Sequence, residues 1–213
     1  MDTIGRKFNL LLRNACPGNN SVDICEHLPT LFRYAMECDS VFETGVRGCV
    51  SSWAFLLGLL KGKEGSKRLL LNDISECDVA ELVDVSKRFS SLQVEHKWQN
   101  NLTLTFDDDT RFDLTFIDTW HVYGQLKREL SKFSTITNKY IIMHDTTVDE
   151  IFGETIRNGW NAVEQSRQTG IPVNEINKGL WPAIEEFLQN NPEWCLKERY
   201  TNNNGLTILA RKE

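Results

Sequence analysis

The chain has 213 residues, of which 40% are hydrophobic and 25% charged, with a formal net charge of −6. This length suits one α/β domain with a substantial core, and no stretch reaches the roughly 18 apolar residues that a membrane span needs. The basic residues of this acidic chain are dispersed, which argues against DNA or RNA as a partner, because phosphate neutralisation demands a basic stripe.

The six cysteines, Cys16, Cys25, Cys38, Cys49, Cys77 and Cys195, form no C-x-x-C pair and no zinc spacing. A reduced, cytoplasmic setting is expected. Met1 to Leu12 carries only Arg6 and Lys7 before a brief apolar patch and has no cleavage site, so no signal peptide is expected.

The first 20 residues read as an amphipathic helix ending in the turn formers Cys16-Pro17-Gly18-Asn19-Asn20. Asp23 then caps or precedes a helix with Ile24, Leu28, Leu31, Phe32 and Ala35 at helical spacing and Pro29 in its first turn. Residues 1–38 thus form a helical cap.

A strand at 40–43 ends at Glu43, and Thr44-Gly45-Val46-Arg47-Gly48 turns into a helix that starts at Ser51 or Ser52. Glycine lets backbone approach a ligand, and a helix N-terminus presents unpaired N–H groups, so the run makes a cradle for a nucleotide-type cofactor. A Glu there repels a pyrophosphate but accepts hydrogen bonds from the amino group of S-adenosylmethionine. The third glycine of G-x-G-x-x-G and the P-loop lysine are both missing. Methyl transfer is therefore the leading expectation.

Trp53 to Leu60 predicts a core helix, and Arg68 to Asn72 a strand ending at Asp73, followed by Ile74. Asp73 lies one β-α-β unit after Glu43, placed to accept bonds from two ribose hydroxyls. Either acid can instead cap the element that follows. A helix over 76–89, a strand over Leu92–Lys97 and a short strand over Asn101–Phe106 come next. Asp107-Asp108-Asp109 lacks the spacing of a calcium loop and reads as a solvated turn.

Phe112 to Ile117 predicts a strand ending at Asp118, with Trp120 and His121 on the turn into a helix through Val122, Leu126 and Leu130. Tyr140 to Met143 predicts a strand ending at His144-Asp145. Adjacent strands lie about 4.8 Å apart, so Asp118 and Asp145 can share one divalent cation, Mg²⁺, Mn²⁺ or Ca²⁺ for oxygen donors. Each can equally cap its own loop. Trp120 is either a packing residue or a wall for cofactor or substrate. His121 is either a polar residue on the first turn of that helix or a general base.

Gly153 to Lys178 is polar and longer than a normal connection, which predicts a lid or substrate wall over residues 150–180. A helix over Gly179–Leu188 and a hairpin of Leu196–Tyr200 with Gly205–Leu209 close the chain. The expected fold is α/β: a Rossmann-like seven-stranded sheet, mostly parallel with an antiparallel C-terminal hairpin, and helices on both faces.

The Glu43-x-Gly-x-x-Gly48 turn, Asp118-x-Trp-His121 and the strand ending in Asp145 together resemble the class I S-adenosylmethionine-dependent methyltransferases. They are similar to the metal-dependent O-methyltransferases of the catechol and macrocin types. His27-Leu-Pro, Gly45-Val-Arg-Gly48, His144-Asp-Thr146 and Asn203-Asn-Gly-Leu206 further resemble methyltransferase domains beside glycosyltransferases in glycan-building proteins of large DNA viruses. The resemblance implies Glu43, Gly45, Val46, Arg47, Gly48, Ser51 and Ser52 around the methionine part of the cofactor and Asp73 and Ile74 on the ribose. Trp98 or Gln99 then lies near the adenine, with Asp118 and Trp120 also beside the cofactor. It implies a metal on Asp118 and Asp145, with His144 or Thr146 as a further ligand, and His121 as base. The implied acceptor is a sugar hydroxyl, in a deoxysugar such as rhamnose, with glycosyltransferase domains nearby and the host cytoplasm as location. Catechol-type enzymes carry Asn where this chain has Thr146 and Lys where it has His121, and macrocin-type enzymes an acid where it has His144.

Overall fold

The structure, a computed structural model, describes residues 3–14 and 23–212. The predicted turn at Cys16 to Asn20 lies outside them. Helix α1 (Thr3–Asn14) sets Phe8 against Phe32, ring centroids 5.6 Å apart. A 3₁₀ turn at Cys25–His27 leads into α2 (Leu28–Met36), where Pro29 occupies the first turn and its missing N–H has no partner to lose. Asp23 does not cap this helix, because its carboxylate pairs with the Arg47 guanidinium at 3.1 Å.

The remaining elements are β1 (Ser40–Thr44), α3 (Val50–Lys61), β2 (Lys67–Asp73), α4 (Ala80–Ser86), β3 (Leu92–Trp98), β4 (Phe112–Ile117) and α5 (Tyr123–Phe133). They continue with β5 (Thr137–His144), α6 (Glu154–Arg157), α7 (Ala162–Thr169), α8 (Val173–Ile176), α9 (Trp181–Asn190), β6 (Trp194–Tyr200) and β7 (Leu206–Arg211). Among the described residues these strands form one seven-stranded sheet in the order β3-β2-β1-β4-β5-β7-β6. The expected mixed, Rossmann-like architecture is the observed one.

Two compact units are distinguishable: Met1–Phe116 with Thr137–Lys139, and Ile117–Ile136 with Tyr140–Glu213. In the first, β1, β2 and β3 run parallel, with Glu43 opposite Leu71 and Asp73 opposite Trp98. β1 and β2 are buried along nearly their whole length, as central parallel strands are, whereas the edge strand β3 is polar and partly exposed. Helix α3 is buried from Ser51 to Leu59, which explains its apolar character all round.

In the second unit β5, β7 and β6 pair antiparallel, with a bulge between Leu196 and Glu198. The β6–β7 turn passes through left-handed backbone at Asn203, Asn204 and Gly205, residue types that tolerate it. The Asn204 carbonyl accepts the Thr147 and Val148 N–H groups at 2.9 and 3.0 Å, so this turn braces the loop that follows β5.

Three expectations need correction. Asn101–Phe106 is a turn and irregular chain, because Asn100 captures Leu102 N–H with its side chain and Thr103 N–H with its carbonyl. The helix expected over 76–89 is confined to α4: Asp73 holds Ser75 N–H and Asp78 holds Ala80 N–H, and these side-chain turns consume the first residues. Finally, α5 starts at Tyr123, so His121 stands on a loop instead of a first helical turn.

Candidate functional site

In the first unit the chain leaves β1 through Gly45, at φ 91, then Arg47 at φ 42 and Cys49 at φ 58. Asp73 fastens this turn. Its Oδ2 accepts the Val46 and Arg47 N–H groups at 2.9 and 3.0 Å, and its Oδ1 accepts Ser75 N–H at 3.1 Å. Glu43 is fully buried and accepts a short hydrogen bond from the Ser51 hydroxyl at the start of α3. Both acids thus serve the turn itself, the local role open to them in the sequence. A carboxylate has about four lone-pair sites, so neither is exhausted by these bonds.

Gly48 is informative because nothing in the protein demands it. Its φ is not positive, and a Cβ built there has no atom within 4 Å. A glycine kept next to open space at a helix start is what close backbone approach to a ligand requires. Ile74, directly after Asp73, is a large apolar side chain that is 73% exposed. Trp98 ends β3 and stacks on His96, centroids 5.0 Å apart. Gln99 is tied at its backbone: its N–H donates to the Asp73 carbonyl at 2.8 Å and its carbonyl accepts Asn72 Nδ2 at 3.0 Å. Ser52 is buried within α3. Burial, with Glu43 nearby, pushes the Cys49 thiol up to about 12, so it is not a nucleophile.

The second unit holds a denser constellation. His121 Nε2 lies 3.3 Å from Asp118 Oδ1 and 3.1 Å from Asp145 Oδ2. Its Nδ1 lies 3.2 Å from Asp149 Oδ2 and 3.6 Å from Glu154 Oε2. His144 presents Nδ1 to the same pair of acids, 3.1 Å from Asp145 and 3.5 Å from Asp118, while its Nε2 is 3.0 Å from the Asn203 carbonyl. A carbonyl only accepts, so Nε2 carries the proton there. Asp145 itself sits at φ 58, a left-handed conformation that costs a non-glycine residue about 1 kcal/mol. Strain of this kind concentrates at functional sites.

The electrostatics follow from four carboxylates around two imidazoles. Despite burial, which opposes the charged form, Asp118 and the other acids hold His121 well above the ordinary histidine value. His144 is likewise opposed by burial and raised to about 10 by Asp118 and Asp145. Asp118 is held well below the usual carboxylate range by both histidines against its own desolvation, and Asp149 is lowered by His121 and Arg157. Acids around each ring favour a positive charge there, either a proton or a bound cation.

The donor set fits a divalent ion. One atom each from Asp118, His121 and Asp145 lies within 4.8 Å of the others. Neighbouring ligands of an octahedral ion at 2.0–2.1 Å stand about 3 Å apart, which matches the two His121 separations. Thr146, also expected as a ligand, is fully buried, and its hydroxyl accepts from Thr207 at 2.8 Å. Trp120 is partly buried and packs against the cluster of Val122, Ile171 and Ile176.

Asp149, Glu154 and Arg157 were not singled out from sequence. Asp149 is fully buried and receives Arg157 through two bonds, Nε at 2.7 Å and Nη2 at 2.9 Å. The available signal was an acid four residues after Asp145, the spacing of one helical turn, and the Asp149 N–H does donate to the Asp145 carbonyl at 3.1 Å. Glu154 belongs to the 150–180 insertion and grips the His121 backbone, its N–H donating to the His121 carbonyl at 2.9 Å.

No protein-family model and no curated protein matches this sequence. Solved structures do resemble it. The O-methyltransferase TomG of Streptomyces achromogenes, solved with S-adenosylmethionine, gives a TM-score of 0.59 at 13% identity over 100% of this chain and 91% of that one. Methyltransferase PaMTH1 of Podospora anserina, bound to S-adenosylhomocysteine, gives 0.57 at 15% identity over 100% and 89%. The N-methyltransferase NodS of Bradyrhizobium japonicum gives 0.56 at 12% over 92% and 99%. The chain therefore has the fold of S-adenosylmethionine-dependent methyltransferases, a fold that serves both oxygen and nitrogen acceptors.

Proposed function

We propose that the protein transfers the methyl group of S-adenosylmethionine to a hydroxyl of a sugar or sugar-like acceptor, assisted by a divalent cation. The observation that carries this reading is the convergence of Asp118, His121 and Asp145 on one point in a chain of methyltransferase fold. Glu43, Gly45 and Gly48 hold the methionine part of the donor, Asp73 and Ile74 the ribose, and Trp98 and Gln99 the adenine. The insertion from 150 to 180 forms the acceptor wall, supported by exposed apolar side chains at Ile151, Phe152 and Trp160.

The sulfonium methyl is already activated, so the protein chiefly aligns the acceptor and manages its proton. A hydroxyl comparable to water, pKa about 15.7, lies roughly nine units above an ordinary histidine, and full transfer across that gap costs about 12 kcal/mol. A histidine alone does not supply this. A bound divalent ion lowers the pKa of a hydroxyl oxygen next to it. Asp118 and Asp145 would hold that ion, and Trp120 would shield the alcohol from water.

A deoxysugar such as rhamnose, within a glycan, is the proposed acceptor, on the resemblance to viral glycan-building proteins. The test is a screen of monosaccharides and their glycosides for methyl acceptance by mass spectrometry. A mass gain of one methyl on a sugar hydroxyl is expected; methylation confined to amines or to non-sugar hydroxyls contradicts the acceptor class.

A further inference from the structure

The cation-assisted reading leaves His121 with a choice between accepting the acceptor's proton and holding the cation. As a base, His121 must turn a lone pair toward the hydroxyl. In the structure Nε2 instead points between Asp118 Oδ1 and Asp145 Oδ2, at 3.3 and 3.1 Å. These are the separations of neighbouring donors on one small ion.

The rest of the ring is arranged to keep it there. Nδ1 faces Asp149 Oδ2 at 3.2 Å, and Asp149 is itself locked by the two-point Arg157 contact and full burial. Metal-ligating histidines characteristically donate their second N–H to a carboxylate, which fixes the tautomer and the ring plane. The main chain is pinned as well, by the Glu154 N–H on the His121 carbonyl at 2.9 Å.

We infer that His121 is a protein ligand of the divalent ion through Nε2, oriented by Asp149 and Arg157, and that the resulting nitrogen-containing donor set selects a first-row transition ion such as Mn²⁺ over Mg²⁺ and Ca²⁺. This inference rests on the proposed cation-assisted methyl transfer. It gives His121 the further-ligand position beside Asp118 and Asp145 that the sequence reading left to His144 or Thr146. Imidazole nitrogen suits transition ions, whereas Mg²⁺ and Ca²⁺ favour oxygen alone. His144, whose Nδ1 faces the same two acids, adds a second nitrogen beside the site. Asp149 and Arg157 are positioning residues: they act through the imidazole.

The experiment strips the protein with EDTA, then titrates Mn²⁺ while free Mn²⁺ is followed by electron paramagnetic resonance, with Mg²⁺ and Ca²⁺ as competitors. S-adenosylhomocysteine binding is measured by calorimetry on the same samples. Wild type is expected to bind one Mn²⁺ at least ten-fold tighter than Mg²⁺ or Ca²⁺. His121→Ala should lose ten-fold or more of the Mn²⁺ affinity and most of that preference, with S-adenosylhomocysteine binding retained. Asp149→Asn should weaken Mn²⁺ by about 10- to 100-fold. If His121→Ala fails to fold by circular dichroism, Asp149→Asn carries the test.

Unchanged Mn²⁺ affinity in the folded variants overturns the assignment and returns His121 to the role of base, leaving cation-assisted transfer standing. Preference for Mg²⁺ or Ca²⁺, or no ion bound by wild type, also overturns it. Wild type that binds Mn²⁺ through His121 but no S-adenosylhomocysteine upholds the ligand assignment and removes the methyl-donor reading.

Discussion

The glycine turn after β1 and the acid–histidine cluster after β4 and β5 use carboxylates in opposite ways. In the turn, Asp73 is satisfied by three backbone N–H groups and Glu43 by a hydroxyl, all from nearby chain. Such a turn is shaped before any ligand arrives, with carboxylate lone pairs left over for one. In the cluster, Asp118 and Asp145 face imidazole nitrogens that face further acids, and charge balance there needs a proton or a cation. One region is shaped by backbone, the other by titratable side chains. Substitutions should therefore fail differently in the two: as geometry in the first, as chemistry in the second.

The largest expected effect belongs to the cluster. Exhaustive EDTA treatment, or Asp145→Asn, should lower methyl transfer by about 10³-fold, several kcal/mol of barrier, while S-adenosylhomocysteine affinity measured by calorimetry stays near wild type. Equal rates with and without EDTA would remove the cation from the scheme. Next comes Arg157→Met, which strips the fully buried Asp149 of its two-point partner. Chemical denaturation should show a loss of about 2 kcal/mol, because a buried carboxylate left short of donors is costly. A stability unchanged within error would mean that Asp149 is already satisfied without Arg157.

The two glycines of the turn separate conformation from ligand approach. Gly45→Ala should cost about 1–2 kcal/mol of folding stability, since φ 91 is hostile to a Cβ. Gly48→Ala meets no protein atom and should leave the melting temperature near wild type, yet weaken S-adenosylhomocysteine ten-fold or more. If Gly48→Ala binds normally, the open space beside it is not the cofactor's.

The smallest effect is expected at Glu186, which is half-buried and is held below its usual range by the Lys127 ammonium and the Tyr123 hydroxyl. A depressed carboxylate stabilises the fold above the unfolded-state pKa, about 4.3, and that contribution disappears as pH falls through the lower folded value. Glu186→Gln should thus shift the melting temperature slightly at pH 7, less in high salt, and progressively less as the pH is lowered into the acid range.

The same contrast explains what the sequence made legible. Phe112–Ile117 is legible residue for residue because it is buried at every position, and its six-residue length with two phenylalanines, Thr115 and Ile117 favours a strand over a helix. The glycine turn was readable because its special backbone and its signal residues are contiguous. Asn101–Phe106 misled because alternating Leu102, Leu104 and Phe106 mimic a strand, while the deciding event was an asparagine side chain folding onto its own backbone. The cluster was half legible. Asp118, His121 and Asp145 follow strand ends, but Asp149 and Glu154 reach His121, and Arg157 reaches Asp149, through a loop and an irregular insertion, where neither periodicity nor spacing marks which polar side chain will be buried.

The claim under everything else is that the Glu43–Gly48 turn holds a sulfonium methyl donor. Calorimetric titration of the EDTA-stripped protein with S-adenosylhomocysteine, and separately with NAD, tests it directly. One site for S-adenosylhomocysteine and no heat from NAD are expected. Binding of NAD, or of neither compound, would contradict it.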